Sequence, residues 1–321
     1  MPMSSGVAPT SAASLAVREA PGMTGLGRWV LGARPRTLPA AVVPVAVGIA
    51  MAARPGSYAG LASGLHSSQW ARAAGALVVS LAIQVGTNYA NDYSDGIRGT
   101  DADRVGPPRL VASGLASPRR VRAAALASFA VACLAGIVLA AETSWWLLPI
   151  GAACLAAGWL YTGGPKPYGY LGFGELFVFG FFGLVATAGT TYVVADRFVW
   201  QSLLAAVPVG MLAVALLEAN NLRDIDSDRE ASKLTLAVRL GRRRAGLLYL
   251  ATLLAALLGA VALALVSTPG ALVCLLAVPL APSLVSRARS GAEGTDLLPM
   301  LAGTGRLQLI AGLLLALGVL L

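Results

Sequence analysis

Long runs of apolar and small residues, cut by short polar clusters, make up almost the whole chain. Most runs are long enough to cross a bilayer as a helix, which takes roughly 20 residues. Nine such segments are expected, over 37–54, 70–93, 119–140, 144–162, 171–195, 201–222, 244–266, 270–286 and 303–321. The glycines and other small residues within them suit close helix packing in lipid. The predicted fold is therefore all-α: a polytopic membrane protein whose nine transmembrane helices bundle around a central apolar chamber. Residues 1–25 are rich in Pro, Ser, Ala and Gly and lack a signal-peptide layout, so they are expected to form a disordered tail. Residues 26–321 are expected to form one transmembrane domain.

Composition agrees. Hydrophobic residues make up 57% of the chain and charged ones 12%, against about 25% charged in a soluble domain. One aqueous core cannot hide so much apolar surface. The formal net charge is +9, and its distribution gives it a meaning. With the N-terminus in the cytoplasm, all of the 24 basic residues except Arg54, Arg72 and Arg197 fall on the cytoplasmic side of the nine-span arrangement. The positive charge is thus a topology signal that points to a bilayer, and no nucleic-acid partner is expected. Cys133, Cys154 and Cys274 lie singly in apolar runs, without metal spacing. His66 is the one histidine and sits in a Gly/Ser-rich stretch, so any metal must be held by oxygen.

The acidic residues are few and clustered. Asp92, Asp95, Asp101 and Asp103 lie around the end of the second span, and Asp224, Asp226, Asp228 and Glu230 around the end of the sixth. An unpaired carboxylate inside a membrane helix costs about 3 kcal/mol or more, so something must compensate. On an uninterrupted helix Asn88, Asn91, Asp92 and Asp95 share an arc of about 100°, as do Asn220, Asn221, Asp224 and Asp228, while Asp226 points away. Two strips of hard oxygen donors whose carboxylates repel one another select a divalent ion such as Mg²⁺, which keeps open positions for substrate phosphates. Arg104, Arg109, Arg223 and Lys233 are placed to donate to the remaining phosphate oxygens. A diphosphate carrying a lipid tail fits this arrangement. Solvated caps at helix ends are the bland alternative, weakened by the repetition of Asn-x-x-x-Asp at two places on one membrane side. A proton-coupled transporter is the other, but it would bury its carboxylates nearer the midplane.

The two clusters resemble known motifs. Asn91-Asp92-Tyr93-Ser94-Asp95, with Gly99-Thr100-Asp101 and Arg104-x-Gly106-Pro107-x-Arg109, is similar to the first motif of the UbiA-type intramembrane prenyltransferases. Asn220-Asn221-Leu222-Arg223-Asp224-Ile225-Asp226-Ser227-Asp228, followed by Lys233 to Gly241, is similar to the second. Arg34-Pro35-Arg36-Thr37-Leu38-Pro39 and the Tyr161–Tyr170 segment resemble the group within that superfamily that prenylates 1,4-dihydroxy-2-naphthoate in menaquinone biosynthesis. The likeness runs from about Arg34 to Gly241 and is weak in the last three spans. Ser232 departs from it, standing where glycine is expected.

The resemblance implies nine helices and Mg²⁺-dependent transfer of a polyprenyl chain from polyprenyl diphosphate to the naphthoate, with decarboxylation. It leaves other aromatic acceptors open, 4-hydroxybenzoate and homogentisate among them. Asp92, Asp95, Asp224 and Asp228 are the expected metal-bridging carboxylates, with Asn88, Asn91, Asn220 and Asn221 as oxygen ligands or orienting groups and Lys233 at the diphosphate. Asp101 is a candidate to replace a carboxylate that simpler family members carry where this chain has Gly99. Arg36, Lys166, Tyr161, Tyr168 and Tyr170 are candidates for the aromatic acid or for loop closure. Glu175 and Glu218 lie in spans with no assigned role.

Overall fold

Prolines and left-handed residues set most of the helix limits. The computed structural model describes residues 25–54, 65–100 and 106–321, and the regular structure among them is all helical. Helix α1 (Leu26–Ala33) ends at Arg34, whose φ of 52° breaks it. A 3₁₀ turn (Pro35–Thr37) follows, and Pro39 opens α2 (Pro39–Ala53) at the position where proline's missing N–H does no harm. The long α3 (Ser67–Arg98) ends at Gly99, whose φ of 74° lets its N–H return to the Asp95 and Gly96 carbonyls. A carboxylate residue at position 99 would strain that cap, which accounts for the departure noted above. Helices α4 (Pro118–Glu142) and α5 (Leu147–Leu160) complete the first half.

The second half begins with a 3₁₀ turn (Tyr168–Leu171) and α6 (Gly174–Ala195), whose middle, Phe179–Val185, is wound as a π-helix. Helix α7 (Gln201–Arg223) is the most enclosed. It packs against α2, α6, α10 (Arg242–Val266) and α12 (Leu298–Leu320). Two short helices, α8 (Ile225–Glu230) and α9 (Leu236–Leu240), fill the loop after α7. Helix α11 (Pro269–Arg289) starts as a 3₁₀ coil and lies against α12.

Among the described residues seven helices are long and apolar enough to cross a membrane, and the α1–α2 pair, bent by 56°, makes an eighth if it counts as one span. Helix α5 has only 14 residues, about 21 Å of rise against a hydrocarbon core of roughly 30 Å. The protein is thus a multi-pass membrane protein. The expected segments are all helical, but two of the nine are a bent pair and a short helix. Leu134, Val138, Leu258, Leu265 and Leu276 are exposed on outward faces, as a lipid-facing surface requires. The disordered tail expected for residues 1–25 lies outside the described residues apart from Gly25.

Small residues set the closest approach of α6 to α7. A methyl group on Gly183 would stand 2.7 Å from the Gly210 Cα, whereas one on Gly180 would meet nothing within 4 Å. Gly183→Ala should therefore lower stability by about 1–3 kcal/mol through overpacking, and Gly180→Ala should leave it unchanged or slightly raised. Thermal unfolding of the two variants in one detergent checks this. Ser232, at φ 57°, occupies the left-handed region that favours glycine. That is the physical reason for expecting glycine there. Ser232→Gly should raise stability by up to about 1 kcal/mol, the relief of strain exceeding glycine's extra unfolded-state entropy; a lower unfolding temperature would contradict it.

Candidate active site

The C-terminal ends of α3 and α7 meet at one end of a cavity of about 290 Å³, and their side chains form its polar part. Asn88, Asn91 and Asp95 line it from α3, and Asn220, Asn221 and Asp224 from α7 and its cap. Helix C-termini carry partial negative charge, so the same end of the cavity holds two carboxylates and two negative helix poles. Arg34, Arg109 and Lys233 line it as well and supply positive charge. Away from this end the wall is apolar. Phe177, Phe181, Phe182 and Val185 of α6 face Ile83, Leu139, Ile150 and Leu216 from other helices. The π turn departs from 3.6-residue periodicity, so helical phase alone could not pick these phenylalanines out.

The loop between α5 and α6 closes over α3 through several polar contacts. The Tyr170 hydroxyl donates to Asp95 Oδ1 at 2.8 Å, and the Thr162 hydroxyl to Asn91 Oδ1 at 2.9 Å. Arg98 donates to the Thr162 and Gly164 carbonyls. Burial first, then the Asp95 carboxylate, pushes the Tyr170 phenol well above its ordinary value, so it remains a donor. Lys233 Nζ lies 5.5 Å from the Tyr170 ring centre. Tyr161 and Tyr168 also line the cavity, and Tyr168 stacks on Phe177 with ring centres 3.9 Å apart.

Helix α7 does not run through the second motif. It ends at Arg223, Asp224 caps it at φ −93° and ψ 9°, and α8 restarts at Ile225. The single helical arc expected for Asn220 to Asp228 is therefore broken in two. Asp226 does face away: it is exposed and pairs with Arg242 at 2.7 Å and Arg229 at 3.2 Å. Asp228 does not line the cavity; it pairs with Lys233, Nζ to Oδ1 3.3 Å. Arg223, 4% exposed, holds Asp224 through Nε and Nη2 at 2.7 and 2.6 Å and stays outside the cavity lining.

Asp92 is likewise absent from the cavity wall. Its Oδ2 accepts the Leu110 N–H at 2.8 Å and its Oδ1 the Val111 N–H at 3.0 Å. Arg36 and Lys166 are exposed and also lie outside the lining. Asp101 and Arg104 fall outside the described residues. Residues that motif spacing did not single out complete the wall. Arg34 bonds the Asn88 carbonyl at 3.3 Å, and Thr37 and Gln84 join Asn88 in one hydrogen-bonded set. Arg34 stood in the Arg-Pro-Arg-Thr segment, but only its left-handed backbone turns it inward where Arg36 turns out. Glu175 accepts from Asn221 at 3.1 Å and Glu218 from Thr252 at 2.9 Å, so both spans' acids tie helices together.

Among the described residues no three Asp, Glu, His or Cys side chains converge closely enough to hold an ion by themselves. The donors on the cavity wall are carboxylate and amide oxygens from two helices. That set suits a hard cation sharing its coordination with a ligand's phosphate oxygens, as Mg²⁺ does.

The sequence matches the UbiA prenyltransferase family over residues 41–296, well beyond the Gly241 limit of the motif likeness. It is 50% identical over 295 residues to a 1,4-dihydroxy-2-naphthoate octaprenyltransferase of Mycobacterium tuberculosis, covering 92% of this chain and 97% of that one. It is 36% identical to the enzyme of the same description from Escherichia coli, with 91% and 94% covered. Among solved structures, a UbiA homolog from Archaeoglobus fulgidus bound to GPP and Mg²⁺ shares the fold with a TM-score of 0.60 at 16% identity, covering 91% and 98%. The chain belongs to the UbiA prenyltransferase family.

Proposed function

We propose that the protein transfers a polyprenyl chain from polyprenyl diphosphate to 1,4-dihydroxy-2-naphthoate with loss of the ring carboxylate, giving demethylmenaquinone in its reduced, quinol form, and that the transfer depends on Mg²⁺. The carrying observation is one cavity with an oxygen- and cation-lined end and phenylalanine walls, in a chain half identical to a naphthoate octaprenyltransferase. Asn91, Asp95, Asn220 and Asp224 are the residues that would hold Mg²⁺, which supplies charge neutralisation for the departing diphosphate. Arg109 and Lys233 bind the same diphosphate, and Tyr170 orients Asp95. The bond from the prenyl C1 to the diphosphate oxygen breaks, and the apolar wall keeps water from the allylic cation. The ring carbon bearing the carboxylate attacks C1, and CO₂ leaves with restoration of the aromatic ring. Arg34, with Gln84 and Thr37 beside it, offers a donor to the acceptor's carboxylate.

We also infer nine crossings with a cytoplasmic N-terminus and the polar end of the cavity at the cytoplasmic face. The basic-residue distribution supports this, as do Trp145 and Trp146, exposed at one end of α5 as interfacial anchors. A Ser144→Cys variant should react with an impermeant maleimide on intact cells, and a Pro165→Cys variant only after permeabilisation. Labelling of both from one side contradicts a crossing by α5.

The function is tested on purified protein with dihydroxynaphthoate, a long prenyl diphosphate and Mg²⁺. The expected product has the summed masses less diphosphate and CO₂, and chelation abolishes its formation. Asp95→Asn and Asp224→Asn should each lower kcat/KM about a hundredfold or more. Consumption of 4-hydroxybenzoate or homogentisate in place of the naphthoate would displace the acceptor assignment. Absence of Mg²⁺-dependent diphosphate release with every acceptor would remove the transferase assignment and favour a transporter.

A further inference from the structure

Asp92 sits between Asn91 and Asp95 in sequence, yet its carboxylate serves a different element. It is 1% exposed. Both of its oxygens accept backbone N–H groups from the loop that runs from Gly106 to Ser117 and covers the end of α3. The loop is keyed in place on either side of that contact. Leu110 is fully buried against Tyr89 and Ala90 and fills the space left by Gly32, where a methyl group would stand 2.5 Å from its Cδ1. Val111 lies against Gly96 in the same manner, at 2.5 Å. Arg109, the residue immediately before this anchored pair, lines the cavity.

We propose that Asp92 is a positioning residue and not a metal ligand: it clamps the backbone of Leu110 and Val111 so that Arg109 is presented to the substrate's diphosphate. The proposal rests on the prenyl-diphosphate assignment given above. Its chemistry is specific to a carboxylate. Two converging N–H donors need two acceptor oxygens, and an asparagine amide offers one oxygen and one further donor. The clamp also fits the charge pattern. An acid whose two oxygens are both taken by backbone N–H groups, and which does not line the cavity, has no oxygen turned toward a cation there.

Full-length protein carrying Asp92→Asn, Asp95→Asn or Arg109→Ala separates the roles. Without ligand, hydrogen–deuterium exchange of peptides covering residues 106–117 should quicken in Asp92→Asn and stay as wild type in Asp95→Asn. Asp92→Asn should raise KM for prenyl diphosphate about tenfold, the loss of one charge-assisted contact, with the Mg²⁺ half-saturation concentration unmoved. The double variant with Arg109→Ala should be no worse than Arg109→Ala alone, because both remove one interaction. If Asp92→Asn does not fold, Leu110→Ala loosens the same loop from its apolar side and should raise the same KM. Unchanged loop exchange, a loosened loop with unchanged KM, or a shift in Mg²⁺ requirement equal to that of Asp95→Asn each overturns the clamp. A wild-type protein that releases no diphosphate removes the functional assignment instead, while the exchange result still decides whether Asp92 holds the loop.

Discussion

Negative charge gathered inside a lipid-embedded bundle is the constraint around which this protein is built. Around the ends of α3 and α7, Asp92, Asp95, Asp224 and Asp228 are all buried near two helix C-termini, where an uncompensated carboxylate is costly. An anionic substrate would make matters worse. The proposed diphosphate could enter such a site only with cations beside it. Arg34, Arg109 and Lys233 reach the cavity from three separate segments.

The four aspartates are compensated differently, and the differences sort their roles. Asp92 is answered by backbone N–H groups, Asp228 by Lys233, Asp224 by a bidentate Arg223 and Asp95 by a neutral phenol. Neutral donors leave the charges of Asp92 and Asp95 in place, but of these two only Asp95 lines the cavity, which supports the proposed role of Asp95 toward a divalent ion. Asp224 also faces the cavity, but its charge is balanced from behind by Arg223. The two walls are therefore unequal: the α3 side is the more anionic, and the α7 side is closer to neutral.

Much of this was legible in the chain. Span lengths follow from apolar run lengths, because the bilayer fixes the length scale, and the motif ends fall where the acids interrupt those runs. What escaped sequence reading depends on backbone events that helical phase does not encode. The break at Asp224 separates Asp228 from the arc it was expected to share. The left-handed Arg34 brings one arginine inward and leaves Arg36 outside. Asp92 lies within the expected arc of α3, yet the loop that captures it is folded from residues some twenty positions away. Phase can say which residues share a strip; it cannot say which neighbour occupies the space in front of each.

The aromatic contacts join the two ends of the cavity into one device. Tyr170 bonds Asp95 at the polar end, and Tyr168, two residues earlier in the same 3₁₀ turn, stacks on Phe177 of the apolar wall. Phe177 in turn contacts Phe181 within the π-wound part of α6. The turn carrying the two tyrosines is further tied to the second motif, since the Leu234 N–H donates to the Tyr170 carbonyl. Through these contacts the loop, the phenylalanine wall and the Lys233 segment are packed as one unit. A ligand with both an anionic head and an apolar chain engages every part of that assembly at once, whereas inorganic diphosphate or a neutral lipid alone engages only half. Under the proposed function, selectivity for an amphiphilic diphosphate would be a property of the coupling between head site and wall, beyond what either provides alone.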